Sequence, residues 1–360
     1  MERQKCIVCD KSIFFLYQID LMPIILSQTY NKIDDDVFQD QQVYYCKHCS
    51  CVQLKNLIDP SILYQHPHNT TSALPTWKEH HATFSKFITE SLDTNAIMEI
   101  GGSSGALYQH LKNEPIEYSC IDLCEANFDT SNCTYIIGNA EEYNYDNVDT
   151  VAMSHVFEHL YDPKLLLSNL SKNNISTIFI SIPNMSALLN RRSSSIIHYE
   201  HTYYIDKYFT EYLLSEQGYS LTKYVEFKDH SLCMQFKKTN CEKQVIEPRH
   251  NIVEQIHDIY NSMYTRFQGQ EISPTSYIIP AGHMGQLFYS IAKPSSIYGF
   301  LDNDPSKQGK RLYGTPYMIY PFDQLKRHSE TIDVYIYAGP YLKEVVKQLE
   351  QYSNIRMTIL

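Results

Sequence analysis

Between residues 96 and 182 short apolar runs alternate with stretches of helical period. The runs lie at 96–100, 118–122, 134–137, 150–154 and 177–182, with helices predicted at 105–111 and 163–171. Strands that are apolar throughout, separated by helical stretches, are the pattern of a parallel sheet covered on both faces. A helix at 207–218 and two alternating strands at 221–227 and 231–237 then read as an antiparallel closing pair. Ahead of this block, Trp77, His80, His81, Phe84 and Phe87 recur near helical spacing and predict a helix over 77–92. The polar run 62–76 has no period and is read as an irregular connection.

A second βα pattern follows a polar stretch at 238–249 and a long helix predicted at 252–267. Its strands are placed near 276–280, 297–302 and 334–337. At 360 residues the chain exceeds what one hydrophobic core usually organises. The expected fold class is α/β with three domains: a cysteine module at 1–62, a central doubly wound, Rossmann-like domain at 63–240, and a smaller Rossmann-like domain at 241–360.

Charge removes some partners from this picture. With 30 Lys and Arg against 41 Asp and Glu the net charge is −11, which disfavours loose attraction to nucleic acid or an anionic membrane. The apolar stretch 12–26 is interrupted by Gln18 and Asp20 and is too short to span a bilayer. It carries no cleavage pattern of a secretory signal, so the expected location is cytoplasmic and the ten cysteines are expected as thiols.

Cys6 and Cys9 form one Cys-x-x-Cys pair, and Cys46 and Cys49 another. Two such pairs supply four thiolates for a closed, tetrahedral, structural Zn²⁺ site. Cys51 and His48 are near enough in sequence to replace one ligand.

The strand at 96–100 runs into Glu99-Ile100-Gly101-Gly102-Ser103-Ser104-Gly105, directly before a helical pattern. Glycines let the backbone approach a ligand, and the following N–H groups face it. The spacing departs from the Gly-x-Gly-x-x-Gly of dinucleotide binders. A leading carboxylate suits instead the cationic amino-acid end of S-adenosylmethionine. Asp122 ends the next strand, where an acid accepts the ribose hydroxyls. Asn139, Ala140 and Glu141 follow the third strand, and the segment resembles the one with which methyltransferases commonly contact the adenine.

After the fourth strand come His155, Glu158 and His159, expected to face the methionine part of the cofactor or a substrate. Asn184 follows the fifth strand as a further substrate contact. The loop beyond it carries His198, Tyr199, Glu200 and His201. A histidine can take a proton near neutral pH, a carboxylate can orient it, and Tyr199 and His198 can stabilise an oxyanion.

Cys6-x-x-Cys9, Cys46-Lys47-His48-Cys49-Ser50-Cys51-Val52-Gln53-Leu54, Glu99-Ile100-Gly101 to Gly105, and Glu200-His201-Thr202-Tyr203-Tyr204 together resemble the sugar C-methyltransferases that act on nucleotide-linked ketosugars. The resemblance covers essentially the whole chain. It implies a zinc module, a central class I methyltransferase domain binding S-adenosylmethionine, and a C-terminal Rossmann-like domain. It further implies that His201 is the base that deprotonates the carbon beside a keto group, with Glu200 beside it. The tyrosine of the family's Tyr-x-Glu-His loop is replaced by His198, with Tyr199 one residue later. A second family tyrosine falls near 67–72, where His68 stands as a substrate contact.

The function expected is methyl transfer from S-adenosylmethionine to a nucleotide sugar, at carbon. O- or N-methylation of another small metabolite or glycan, and a zinc protein that binds cofactor without turnover, are the alternatives. The expected partner is the small-molecule substrate, with no nucleic acid and no membrane, and the sequence does not set the oligomeric state.

Overall fold

The computed structural model describes residues 1–26, 29, 32–64, 75–239 and 241–360. The chain divides into two compact units. The first comprises Met1–Phe15, Tyr44–Arg191 and Glu200–Val253, and the second Leu16–Val43, Arg192–Tyr199 and Glu254–Leu360. The fold is mixed α/β with two Rossmann-like sheets, one mostly and one wholly parallel.

A three-stranded sheet is built from β1 (Ile13–Pro23), β2 (Phe38–Cys46) and β3 (Val52–Leu54), in that order. A short α1 (Pro60–Leu63) follows, and then α2 (Pro75–Thr89), which buries His80, His81, Phe84, Phe87 and Ile88 along one face. The spacing of those residues forecast this helix, although it starts two residues earlier and ends three earlier than predicted.

The seven-stranded sheet of the first unit contains β4 (Ala96–Ile100), β5 (Glu117–Asp122), β6 (Thr134–Ile137), β7 (Thr150–Ser154), β8 (Thr177–Pro183), β9 (Tyr219–Phe227) and β10 (Ser231–Lys238). Their order across the sheet is β6-β5-β4-β7-β8-β10-β9. The first five pair in parallel, and β10 is antiparallel to both β8 and β9. Every residue of β8 is buried, as a central strand covered on both faces requires. Counted from β4 the order is 3-2-1-4-5-7-6, so its direction reverses between β4 and β7. Ligands of doubly wound sheets bind at the carboxyl ends of the strands flanking such a reversal.

α3 (Tyr108–Leu111) is a single turn, shorter than the predicted helix at 105–111. Gly105 has φ +64° and its N–H bonds to Gly102 O, which holds the preceding residues in a turn. α4 (Pro163–Lys172) starts on an Asp162 side-chain cap with Pro163 in its first turn, and buries Leu166, Leu167 and Leu170. Each such leucine contributes roughly 2 kcal/mol. α5 (Met185–Asn190) and α6 (Lys207–Ser215) are capped by Asn184 and Asp206. The stretch expected to be helical up to Gly218 ends at Ser215, and Gly218 sits at φ +78°.

α7 (His250–Gln268) leads to the second sheet, with β11 (Ser276–Ile279), α8 (His283–Ala292), β12 (Gly299–Leu301), β13 (Ile319–Tyr320), β14 (Ile332–Ile336), α9 (Leu342–Leu349) and β15 (Ile355–Ile359). The order β13-β12-β11-β14-β15 is 3-2-1-4-5 and all pairs are parallel. Within this unit the Arg311 guanidinium forks onto the buried Asp36 carboxylate, at 2.6 Å for Nη1–Oδ2 and 2.8 Å for Nη2–Oδ1. Periodicity missed β13 and β15. The first is two residues long, and the second exposes Arg356, Met357 and Ile359.

Candidate functional site

The Sγ atoms of Cys6, Cys9, Cys46 and Cys49 all lie within 4.8 Å of one another, and none of the four is in a disulfide. Three of the separations are 3.5 Å: Cys6–Cys49, Cys9–Cys46 and Cys9–Cys49. A zinc ion with Zn–S bonds of about 2.3 Å would set tetrahedral edges near ~3.8 Å, so the donor set fits such an ion. The two pairs form the same knuckle twice. Asp10 N–H donates to Cys6 O and Ser50 N–H to Cys46 O, with Asp10 at φ +59° and Ser50 at φ +64°. His48 is exposed and stands outside the thiol cluster, while Cys51 is buried beside it, its thiol within hydrogen-bond reach of Cys6 and 3.7 Å from Val52 O.

At the reversal of strand order, β4 carries Glu99 one residue before the strand's end, only 3% exposed and hydrogen-bonded by the Tyr118 hydroxyl of β5. Burial pushes the Glu99 carboxyl up to about 7, against the opposing hydrogen bond from Tyr118. Gly101 turns the chain at φ +80°. A Cβ on Gly102 would stand 2.3 Å from Glu99 Oε2 and 2.7 Å from Cys120 Sγ, so only glycine lets the turn pass over the carboxylate. Asp122, at the end of β5, accepts from Ser103 N–H through Oδ2 and from Cys124 N–H through Oδ1, both at 2.9 Å. Its carboxylate thus closes the glycine turn onto the strand end.

The third-strand residues hold loops. Asn139 Oδ1 accepts from Glu141 N–H at 3.0 Å, and Ala140 O accepts from Tyr145. Glu141 Oε1 accepts from the N–H groups of Tyr161 and Asp162 at 2.6 and 2.7 Å, tying this turn to the loop after β7. Asn184 is 6% exposed and spends its Oδ1 on the α5 cap, 3.1 Å from Ala187 N.

The loop after β7 begins at His155, held at φ +53°. His155 Nε2 is 2.7 Å from Ser231 Oγ, and its Nδ1 is 3.2 Å from Glu158 Oε1. Burial, with the neighbouring imidazoles of His230, His159 and His81 adding to it, keeps His155 neutral well below the usual histidine range. Glu158 is 1% exposed, and His201 Nε2 lies 3.9 Å from its Oε1. The rings of His159 and His201 meet edge to face at 5.1 Å. The donor atoms of Glu158, His159 and His201 lie within 4.8 Å of one another, so loops distant in sequence deliver them to one place.

That convergence has a visible scaffold. Thr202 N–H donates to Glu158 O at 3.0 Å, Thr202 Oγ1 to Leu160 O at 2.6 Å, and the Tyr203 hydroxyl to Phe157 O at 2.7 Å. β3 grips the same segment through Leu54 N–H to Thr202 O and Tyr204 N–H to Val52 O. Arg3, beside the first cysteine knuckle, reaches Thr202 O, Thr202 Oγ1 and Tyr161 O. The cysteine module therefore braces the segment that carries His201.

Of the expected catalytic residues, Glu200 and His201 belong to the first unit, and His198 and Tyr199 to the second. Tyr199 is 2% exposed and its hydroxyl donates to Gln39 O at 2.5 Å. The His198 ring packs at 5.6 Å on His283, whose Nε2 is 2.9 Å from Ile197 O. His68 lies outside the described residues. Sequence reasoning passed over Tyr64, whose hydroxyl is 3.0 Å from His159 Nδ1, and also Ser231 and Arg3. A lone tyrosine beside an aperiodic run and an arginine ahead of a cysteine pair carry no local signal.

No protein-family model and no curated protein matches the sequence. Among solved structures, a SAM-dependent methyltransferase from Aquifex aeolicus is similar at 15% identity and TM-score 0.41, over 51% of this chain and 100% of that one. The N-methyltransferase NodS from Bradyrhizobium japonicum WM9 is similar at 15% identity and TM-score 0.36, over 46% and 98%. Magnesium protoporphyrin IX methyltransferase from Synechocystis PCC 6803 is similar at 12% identity and TM-score 0.36, over 46% and 84%.

Proposed function

We propose that the chain transfers a methyl group from S-adenosylmethionine to a small acceptor, a nucleotide-linked ketosugar, with a structural zinc ion in the four-cysteine module. The observation that carries this reading is the pair of carboxylates, Glu99 and Asp122, at the ends of adjacent strands beside the reversal of strand order. A phosphate-bearing dinucleotide is repelled by an acid under its glycine turn. A ligand with a cationic amino-acid end and a ribose is attracted by the same arrangement.

In this reading Glu99, Gly101, Gly102, Ser103 and Gly105 hold the amino-acid end, and Asp122 receives the ribose. Asn139, Ala140 and Glu141 shape the adenine end, and His155 borders the sulfonium side. The acceptor sits against Glu158, His159 and His201, where His201 is the base expected from the sequence. The acceptor's electron pair forms the new bond to the methyl carbon, the S–CH₃ bond breaks with its pair left on sulfur, and one proton leaves the acceptor. Holding donor and nucleophile in line supplies much of the acceleration.

The test is mass spectrometry of products after incubation with S-adenosylmethionine and a panel of nucleotide ketosugars, for wild type and His201→Ala. One added methyl group, lost in the variant, is the expected result. Cofactor binding without product from any sugar would sink the sugar assignment, and product from a non-sugar hydroxyl or amine would replace it.

A further inference from the structure

We propose that Glu158, His159 and His201 form a second metal site, distinct from the four-cysteine cluster, that takes a first-row divalent cation such as Zn²⁺, Mn²⁺ or Co²⁺. The proposal rests on the reading above for the place of the acceptor, and it changes the part given to His201 from base to ligand.

Glu158 is the observation that demands a partner. Its side chain is 1% exposed, and among the described residues neither carboxylate oxygen completes a hydrogen bond. Leaving a carboxylate buried and unsatisfied costs several kcal/mol, so native proteins meet such an orphan with a cation, a proton or an ordered water. Here the groups facing it are imidazoles, with His201 Nε2 at 3.9 Å and His155 Nδ1 at 3.2 Å from Oε1. The donor atoms of Glu158, His159 and His201 all fall within 4.8 Å of one another. Ligands bound at about 2.1 Å stand roughly 3 Å apart, so modest side-chain rotation closes the set on an ion.

Two further features are those of a ligating histidine site. The Tyr64 hydroxyl is 3.0 Å from His159 Nδ1, the outer contact that fixes the tautomer and tilt of a coordinating ring. The backbone bond from Thr202 N–H to Glu158 O, 3.0 Å long, ties the segments that carry the acid and His201. One carboxylate and two imidazoles match the softness of the middle and late first-row ions better than Mg²⁺ or Ca²⁺. Three protein ligands leave positions open, the mark of a site that receives substrate. The open positions would hold oxygens of the acceptor, and a coordinated hydroxyl or enol gives up its proton to solvent water under the cation's charge.

Metal content of the full chain after equilibration with Zn²⁺ and removal of excess tests the site, together with the absorption spectrum after loading with Co²⁺ alone. Two ions per chain are expected in wild type, falling to one in Glu158→Gln and in His201→Ala. The Co²⁺ spectrum should show thiolate charge transfer from the cysteines and separate d–d bands that vanish only in those two variants. Tyr64→Phe should weaken the second ion by roughly 10- to 100-fold. One ion per chain, unchanged in both variants and lost with Cys9→Ser, would overturn the cation site. If methyl transfer were still abolished by His201→Ala in that case, the functional reading would stand with His201 as base. Two ions per chain with no methyl transfer to any acceptor would keep the site and sink the functional reading.

Discussion

The guanidinium of Arg3 hydrogen-bonds the carbonyl of Thr202, the residue that follows His201, and also takes the Thr202 side chain at 2.9 Å and Tyr161 O at 3.1 Å. Arg3 is 8% exposed, so these acceptors have no water to turn to. Arg3→Ala should therefore cost about 3 kcal/mol, from buried carbonyls left unpaired. Thermal unfolding of the variant measures this. Because Arg3 also joins the loop after β7 to the segment of His201, methyl transfer should fall more than cofactor affinity. An Arg3→Ala protein with wild-type turnover would show that the brace is not needed at the site.

The zinc prediction follows from packing. Cys6, Cys46 and Cys49 are buried in the same hydrophobic cluster as Met98, Ile100, Val151 and Phe157 of the seven-stranded sheet and its loops. Removing a zinc ion bound there would leave four thiols crowded against that core. Strong chelation should lower the melting temperature of the whole first unit as it strips the cysteine module of its zinc, and Cys46→Ser should lower it likewise. Melting that is insensitive to a chelator which has demonstrably removed the metal would contradict a folding role.

How much was legible beforehand depended on whether a feature was local. β4, β7 and β8 are apolar throughout, α2 and α4 have helical period, and the glycine turn follows a strand, so a window of a dozen residues reveals each. The edge strand β15 leaves too little apolar signal to read. Glu158, His159 and His201 were each noted from sequence, but Glu200 was expected as the carboxylate beside His201. The backbone bond that holds Glu158 there, from Thr202 N–H to Glu158 O, links residues 44 apart. No sequence window contains them.

Tyr199 separates position in sequence from position in the fold. It sits two residues before His201 yet is 2% exposed, with its hydroxyl bonded to Gln39 O. Burial pushes its hydroxyl far above the ordinary tyrosine range, so the group is neutral and fixed as a donor. Tyr199→Phe should reduce stability by about 1 kcal/mol and leave the pH dependence of methyl transfer unchanged. A rate loss of a hundredfold or more without a change in melting temperature would return Tyr199 to the reaction itself.

Glu99 makes the proposed cofactor site sensitive to pH in a direction that can be stated in advance. Burial raises its carboxyl from 4.5 to about 7, the Tyr118 hydrogen bond opposes that shift, and the charge of Asp122 adds to it. A raised folded value means that between those two pH values the folded chain keeps a proton the unfolded chain has released. Stability is full below pH 4.5 and is lost as pH rises through 7, by roughly 3 kcal/mol once both states are ionised. In the ligand-free protein, Glu99→Gln should be more stable than wild type at pH 8 and similar to it at pH 4.5, as denaturant unfolding at the two values would show. A bound ammonium reverses the preference, because it favours the carboxylate. S-adenosylmethionine should therefore bind wild type more tightly at pH 8 than at pH 6, with proton release on binding at pH 6, while Glu99→Gln binds weakly and equally at both. Calorimetry at two pH values in buffers of different ionisation heat measures affinity and proton release together. Equal wild-type affinity at the two values with no proton released would mean that Glu99 does not meet the cationic end of the cofactor.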